Sequence, residues 1–280
     1  MKKVLIAILL LGLLPHASAD YIHWVDFRLS APVLRSALEL DMASQGGEQP
    51  LDWIDILALA AAWRGGTGVT VADTQRAAQA LRGDTPPERL PGMAGRCFSY
   101  YRAAYGAALG GLVGHFAIRR TDPQTDEAEW IPAYGLKAFS PIAAGYPWSH
   151  YPDFGAQRSY GYARPHLGND ILGALGTPIC AVEGGTVEAL GWNRYGGWRI
   201  GIRSDDRKRY YYYAHLRKDT PYAEGLAVGQ RVQAGDVIGF MGRTGYSAQE
   251  NVNNIETVHL HFGLQLIFDE SQKECDSEIW

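Results

Sequence analysis

Residues 258–264 read VHLHFGL, and this stretch decides how the second half of the chain folds. Side chains alternate across a β-strand, so His259 and His261 face one way, while the apolar side chains around them face the other. The apolar face is typical of strand packing on a core, and Gly263 leaves room beside the imidazoles. Two surface histidines on a half-exposed strand are the alternative interpretation.

Residues 210–216 read YYYYAHL and form a second strand pattern, since tyrosine is frequent in strands. The same alternation predicts that Tyr211, Tyr213 and His215 share one face. An aromatic stripe is usually packing, so this pattern alone leaves open whether His215 is structural or functional. Tyr213 could position a substrate, but packing is the simpler role.

A third segment, residues 164–170, reads RPHLGND. The offset of four places His166 and Asp170 on one side of either an extended segment or a helical turn. An imidazole and a carboxylate so placed can share a borderline cation such as zinc, although such a pair also arises by chance.

The three segments are more informative together than singly, because they contain four of the eight histidines of the chain. Zinc in a hydrolase needs three protein ligands and an open position, and two imidazoles with one carboxylate meet that need. The remaining imidazoles can transfer protons near neutral pH. The pattern therefore favours a metal-dependent hydrolytic site in the second half of the chain.

The order His-x-x-x-Asp, Tyr-x-His-Leu and His-Leu-His-Phe resembles the LytM/lysostaphin-type peptidoglycan metallopeptidases. Further similar stretches lie between these motifs: GTPICA at 176–181, GTV at 185–187, VGQRVQAGDVIG at 228–239 and GRTG at 242–245. The resemblance covers about residues 160–266.

The resemblance implies that His166, Asp170 and His261 bind one Zn²⁺ per chain, with His215 and His259 as catalytic imidazoles whose separate roles stay open. It implies a β-sandwich or barrel-like peptidase domain of the duplicated hybrid motif type. The implied activity is hydrolysis of peptide cross-links or stem peptides of bacterial peptidoglycan.

Two features depart from the family pattern. Val258 stands where the family commonly has proline, and residues 246–258 form a polar insertion that is longer than in compact relatives. We expect the insertion to form a loop at the rim of the substrate groove, where it either shapes substrate choice or is inert.

Two alternatives to the peptidase are a metal-free relative and a phosphocarrier. A catalytically silent relative that binds peptidoglycan or activates another hydrolase would typically lack ligands, whereas all five site residues are present. A cytoplasmic phosphocarrier with two relay histidines would need neither Asp170 nor an export signal.

The first half of the chain has helical periodicity. It predicts an α+β protein with a mainly helical domain at residues 20–145, followed by the β domain at residues 146–280. We expect helices from a cap at Ser30, from Trp53 to Trp63 after a cap at Asp52, from Ala72 to Leu81 after Thr70, and from about Phe98 to Leu109. A hairpin with Asp122 and Pro123 at its tip should follow between Val113 and Tyr134.

Residues 1–19 predict a cleaved signal peptide, with Lys2 and Lys3 before an apolar run and a small-residue site before Asp20. The run is too short to span a membrane, so we expect export to the periplasm or the cell exterior without a membrane span in the mature chain.

The net charge of −4 does not suggest a nucleic-acid partner. Cys97 and Cys275 could pair in an oxidising compartment, whereas Cys180 reads as a buried residue. The sequence does not specify an oligomeric state.

Overall fold

A computed structural model describes residues 28–121, 124, 125 and 127–267. The predicted signal peptide, the hairpin tip at Asp122 and Pro123, and Cys275 lie outside these residues. Four α-helices and one short 3₁₀ helix come first: α1 (Ala31–Ser44), α2 (Trp53–Arg64), α3 (Val71–Leu81), the 3₁₀ helix (Pro87–Arg89) and α4 (Met93–Leu109). None of the helices in the described part of the chain has both the length and the apolar character that a membrane crossing requires.

Helix α2 is the centre of the helical part because it is apolar on nearly every side. Eight of its residues are buried, and it packs against α1, α3 and α4. Asp52 caps it, as predicted, by accepting a hydrogen bond from the Ile54 backbone N–H at 2.7 Å. Gly65, in the left-handed conformation, ends it.

Two details of the predicted helices were wrong. Helix α4 begins at Met93, several residues before Phe98, because Gly92 at φ 75° turns the chain into it directly after Pro91. Ser30 precedes α1 with an extended backbone, but its side chain makes no capping hydrogen bond. The predicted hairpin is confirmed as β1 (Val113–Thr121) paired with β2 (Ala128–Leu136).

The described residues that follow, up to Ile267, form strands and no helix, which confirms the predicted order of a helical part followed by a β part. Its strands are β3 (Trp148–Tyr151), β4 (Gln157–Arg158), β5 (Arg164–Pro165), β6 (Asn169–Gly173), β7 (Pro178–Cys180), β8 (Gly185–Asn193), β9 (Gly197–Ser204), β10 (Arg209–Ala214), β11 (Arg231–Val232), β12 (Val237–Phe240) and β13 (His259–Leu266). Seven of them form one sheet in the order β11-β8-β9-β10-β13-β6-β3.

Strands β7 and β12 form a small second sheet that packs on the large one. Ile179 and Ile238 from the small sheet share a buried core with Ile200, Tyr211 and Leu260 from the large sheet. Among the described residues, the large sheet keeps two unjoined edges, β11 and β3, so it is an open sheet and not a closed barrel. The other face of its central strands is free to carry polar side chains.

Candidate metal and catalytic site

The three predicted ligands converge on the polar face of the large sheet. Strands β6 and β13 pair so that Asp170 lies opposite His261, and His166 follows β5. His166 Nε2 lies 2.7 Å from His261 Nδ1, and Asp170 Oδ1 lies 3.2 Å from each of these nitrogens. All three residues are buried and could hold a metal ion.

The donor set fits zinc in charge and in two of its three distances. Burial by itself would raise the pKa of Asp170, but the adjoining imidazoles of His166 and His261 hold it well below the ordinary value, so the carboxylate is an anion. Burial lowers the pKa of His261, which favours the neutral imidazole that a metal requires. Tetrahedral zinc separates such ligand atoms by about 3.3 Å. The distances to Asp170 match that value, and the distance between the two nitrogens is shorter.

A hydrogen bond directs His166 toward the same point. Its Nδ1 lies 3.2 Å from the Asp153 backbone carbonyl, which can only accept, so Nδ1 carries the proton and Nε2 presents its lone pair. Lone pairs that face one another in a buried space require a cation or a proton between them.

His215 and His259 lie beside the three ligands, with ring centroids 4.7 Å apart. Each is fixed through Nδ1, which donates to a backbone carbonyl at 2.9 Å: Thr244 for His215 and Thr257 for His259. In each ring Nε2 is therefore the nitrogen that faces the site, and His259 Nε2 lies 3.7 Å from Asp170 Oδ1. Burial, followed by the neighbouring His259 and His261, lowers the pKa of His215 well below 6.5.

The prediction that His215 shares a strand face with Tyr211 and Tyr213 was wrong. Tyr211 and Tyr213 point into the core, whereas His215 lies on the opposite, polar side. Strand β10 ends at Ala214, and His215 adopts φ 61°, which breaks the strand alternation and turns its imidazole toward the site. Tyr213 is fully buried and accepts a hydrogen bond from the Val182 backbone N–H, so its role is packing.

Two spaces that share lining residues adjoin the site. A narrow cavity of about 20 Å³ adjoins the ligands, with room for about one water molecule. A wider groove of about 600 Å³ lies next to it, and Arg158, Asp170, Tyr246 and His259 line both spaces. The groove is also lined by Asn254, Ile255, Glu256 and Thr257, which confirms that the insertion lies at a groove rim.

Several residues of the site were missed by the sequence interpretation. Tyr195 and Tyr212 line the narrow cavity, and Tyr246 stacks on Tyr160 with ring centroids 4.5 Å apart. Arg158 contacts Asp170 from a segment without any recognisable motif. No pattern in the sequence distinguishes these side chains from ordinary ones.

Comparison with known proteins gives similar proteins for the β part of the chain. Residues 164–274 match the sequence profile of Peptidase family M23. The L-Ala–D-Glu endopeptidase of Bacillus subtilis is 40% identical over 130 residues, which are 46% of this chain and 38% of that protein. Lysostaphin of Staphylococcus simulans is 37% identical over 98 residues, which are 35% of this chain and 17% of that protein.

The matched region thus spans less than half the length of these curated relatives. Among solved structures, the catalytic domain of lysostaphin from Staphylococcus simulans is 31% identical, with a TM-score of 0.35 over 46% of this chain and 87% of that chain. The profile match covers the three predicted ligands, His166, Asp170 and His261, together with His215 and His259. Residues 164–274 of this chain are thus similar in sequence to peptidase family M23.

Proposed function

We propose that the chain is an exported zinc-dependent endopeptidase that hydrolyses peptide bonds in bacterial peptidoglycan. The observation that carries this proposal is the convergence of His166 Nε2, Asp170 Oδ1 and His261 Nδ1 within hydrogen-bonding distance of one another. The similarity to family M23 supports it, since relatives in the comparison are named as endopeptidases. Export rests on the sequence of residues 1–19.

In this proposal His166, Asp170 and His261 hold the metal, and His215 and His259 move protons. Zinc, when bound, supplies Lewis-acid activation of a scissile carbonyl and of the attacking water. A neutral imidazole at His215 or His259 takes the proton of the water through Nε2. The other imidazole stabilises the developing oxyanion or protonates the leaving amine. The lowered pKa of His215 favours its unprotonated form at neutral pH.

The five residues are tested by two substitutions with opposite expectations for the metal. We expect His261→Ala to lose both bound zinc and peptidoglycan hydrolysis, because only two of the three proposed ligands remain. We expect His215→Ala to retain zinc and lose hydrolysis by at least about 100-fold, the range of general acid–base catalysis. Metal analysis of the purified proteins and release of soluble peptides from cell walls are the measurements.

His115→Ala is the matched control, since His115 lies exposed on the β1–β2 hairpin and contacts Tyr134 there. It should leave zinc content and hydrolysis unchanged. Hydrolysis retained in His261→Ala or His215→Ala would show that the assigned roles are wrong. Wild-type protein that binds zinc but cleaves nothing would favour the alternative of a silent, peptidoglycan-binding relative.

The bond that is cut is a separate question. The relatives are named for an L-Ala–D-Glu bond and for glycyl-glycine bonds, and a direct D-alanine to diaminopimelate cross-link also suits the site. Digestion of peptidoglycans with and without glycine bridges, followed by mass spectrometry of the new amino termini, identifies the bond.

A further inference from the structure

The segment that precedes the family match contributes two charged side chains to the site. Asp153 and Arg158 lie before residue 164, where the similarity to family M23 begins. Asp153 is buried, with 8% of its surface exposed, and the Arg158 side chain is 26% exposed. A buried carboxylate is costly unless it faces a partner, so its surroundings show what it stabilises.

Asp153 faces His166 from behind the proposed metal position. Its Oδ1 lies 3.3 Å from His166 Nδ1, the ring nitrogen that also contacts the Asp153 backbone carbonyl. Within the described residues, this buried Oδ1 has no partner that meets hydrogen-bond geometry. The imidazole N–H is thus the polar group to which the carboxylate is directed. Metal binding at Nε2 makes this N–H more positive and strengthens the attraction.

Arg158 joins Asp153 to Asp170. Its Nη2 donates to Asp153 Oδ2 in a short ion pair and to Asp170 Oδ2 at 3.2 Å. Asp170 thereby keeps Oδ1 directed toward His166 and His261, while Oδ2 is held by the guanidinium. The contacts form a closed ring that runs from Asp153 through His166 and Asp170 to Arg158 and back.

We propose that Asp153 and Arg158 are positioning residues that orient His166 and Asp170 for the metal. This inference rests on the proposed zinc site and extends it to a segment outside the family match. Asp153 fixes the ring of His166 through Nδ1, and Arg158 holds both carboxylates in place. Such outer partners of metal ligands typically contribute a factor of roughly 10–100 in metal affinity.

Substitution of Arg158 separates two roles, because loss of its charge and loss of its contacts change the zinc affinity in opposite directions. A cation near a metal site repels the metal, so loss of the charge alone would tighten zinc binding. If Arg158 acts by position, Arg158→Gln weakens zinc binding by roughly 10-fold although it removes a repelling charge. Arg158→Lys retains the charge without the planar fork and should recover only part of the affinity.

The experiment measures zinc affinity of the full chain by competition with a chromophoric chelator. We expect Asp153→Asn to weaken binding by roughly 10–100-fold and to shift the visible absorption of the cobalt-loaded protein, since ligand geometry changes. Asp205→Asn and Arg231→Gln are matched controls from an exposed ion pair of 2.7 Å. Both controls should bind zinc like the wild type.

Equal zinc affinity and an equal cobalt spectrum in wild type, Asp153→Asn and Arg158→Gln would overturn the positioning role. Tighter zinc binding in Arg158→Gln would overturn it for Arg158. If Asp153→Asn fails to fold, as judged by far-UV circular dichroism, the partly exposed Arg158 variants decide the question. A wild-type protein that binds no zinc would instead refute the proposed function itself.

Discussion

Gly168, between two proposed ligands, leaves the space that the His261 ring occupies. A Cβ at this position would lie 2.5 Å from both Cε1 and Nε2 of His261 and 3.0 Å from the Phe262 carbonyl oxygen. The ring is buried and cannot move away freely. We therefore expect Gly168→Ala to displace His261 and to weaken zinc binding by at least roughly 10-fold, measured by chelator competition.

Gly106→Ala is a suitable control for this change. A Cβ there meets no atom within 4 Å, and the residue lies in helix α4. This variant should bind zinc like the wild type and gain roughly 0.5–1 kcal/mol of stability, as alanine does over glycine in a helix. Unchanged zinc affinity in Gly168→Ala would mean that the ring adapts without cost.

The lowered pKa of His215 should make the stability of the metal-free protein depend on pH. Its pKa in the folded state lies well below 6.5, mainly because of burial. Below that pH the unfolded chain binds a proton at this position that the folded chain does not, so the free energy of unfolding falls as pH falls. The slope is about 1.4 kcal/mol per pH unit for one proton.

We expect His215→Asn to lessen this slope between roughly pH 5 and 6.5. The reduction should reach at most about 1.4 kcal/mol per pH unit, which is the contribution of one proton. Urea unfolding of the metal-free wild type and variant across this range is the measurement. Parallel curves for the two proteins would contradict the lowered pKa of His215.

At the scale of elements, helix α3 depends on a reciprocal cap. Thr70 Oγ1 accepts from the Asp73 backbone N–H at 3.3 Å, while the Asp73 carboxylate accepts from the Thr70 backbone N–H at 2.9 Å. Arg64 at the end of α2 also donates to this carboxylate. Thr70→Ala should therefore reduce the free energy of unfolding by about 1 kcal/mol.

Ser30→Ala tests the same position of helix α1, where the side chain makes no capping hydrogen bond. We expect its urea unfolding curve to match that of the wild type. An equal loss in both variants would show that the effect of Thr70→Ala does not come from its cap.

The elements also show where prediction from sequence succeeds. Caps and periodicity are local, so Asp52, Thr70 and the strand pattern of residues 259–264 predicted their elements well. Leu264 is the exception, since the alternation places it in the core and it is exposed. The start of α4 and the end of β10 were missed, because Gly92 and His215 adopt left-handed backbone conformations. For His215, which is not glycine, the surrounding contacts must hold that conformation.

At the scale of the whole molecule, Arg209 joins the helical part to the β part. Its side chain is fully buried, pairs with Glu183 and Asp206 at 2.9 Å, and donates to the Gly110 carbonyl at the end of α4 at 2.6 Å. Burial by itself would lower the pKa of Arg209, but the hydrogen bonds to Glu183 outweigh it and raise the pKa above its ordinary value, so the charge is permanent.

We expect Arg209→Met to reduce the free energy of unfolding by roughly 3–5 kcal/mol, because it leaves the Glu183 carboxylate without its cation. Urea unfolding followed by tryptophan fluorescence measures the loss. Arg231→Met, in an ion pair whose arginine is 72% exposed, should change stability by less than about 0.5 kcal/mol. Similar small losses in both variants would show that the Arg209 cluster contributes little.

The sequence by itself determined the order of a helical part and a β part, the family resemblance, and the five residues His166, Asp170, His215, His259 and His261. These follow from local periodicity and from motifs whose residue types and spacing reflect metal chemistry. The structure brings all five together, and their roles as ligands and catalysts stay predictions. The domain boundary near residue 145 is likewise a prediction.

Only the tertiary structure decided which atoms converge, which face His215 takes, and that Asp153 and Arg158 lie behind the ligands. Such contacts join residues that no local pattern links, since strand pairing between β6 and β13 brings together positions about ninety residues apart. The physical reason is that an isolated aspartate or arginine has the same local propensities whether it lies in a loop or behind a metal site. Its partner is set by which segments the tertiary fold brings next to it.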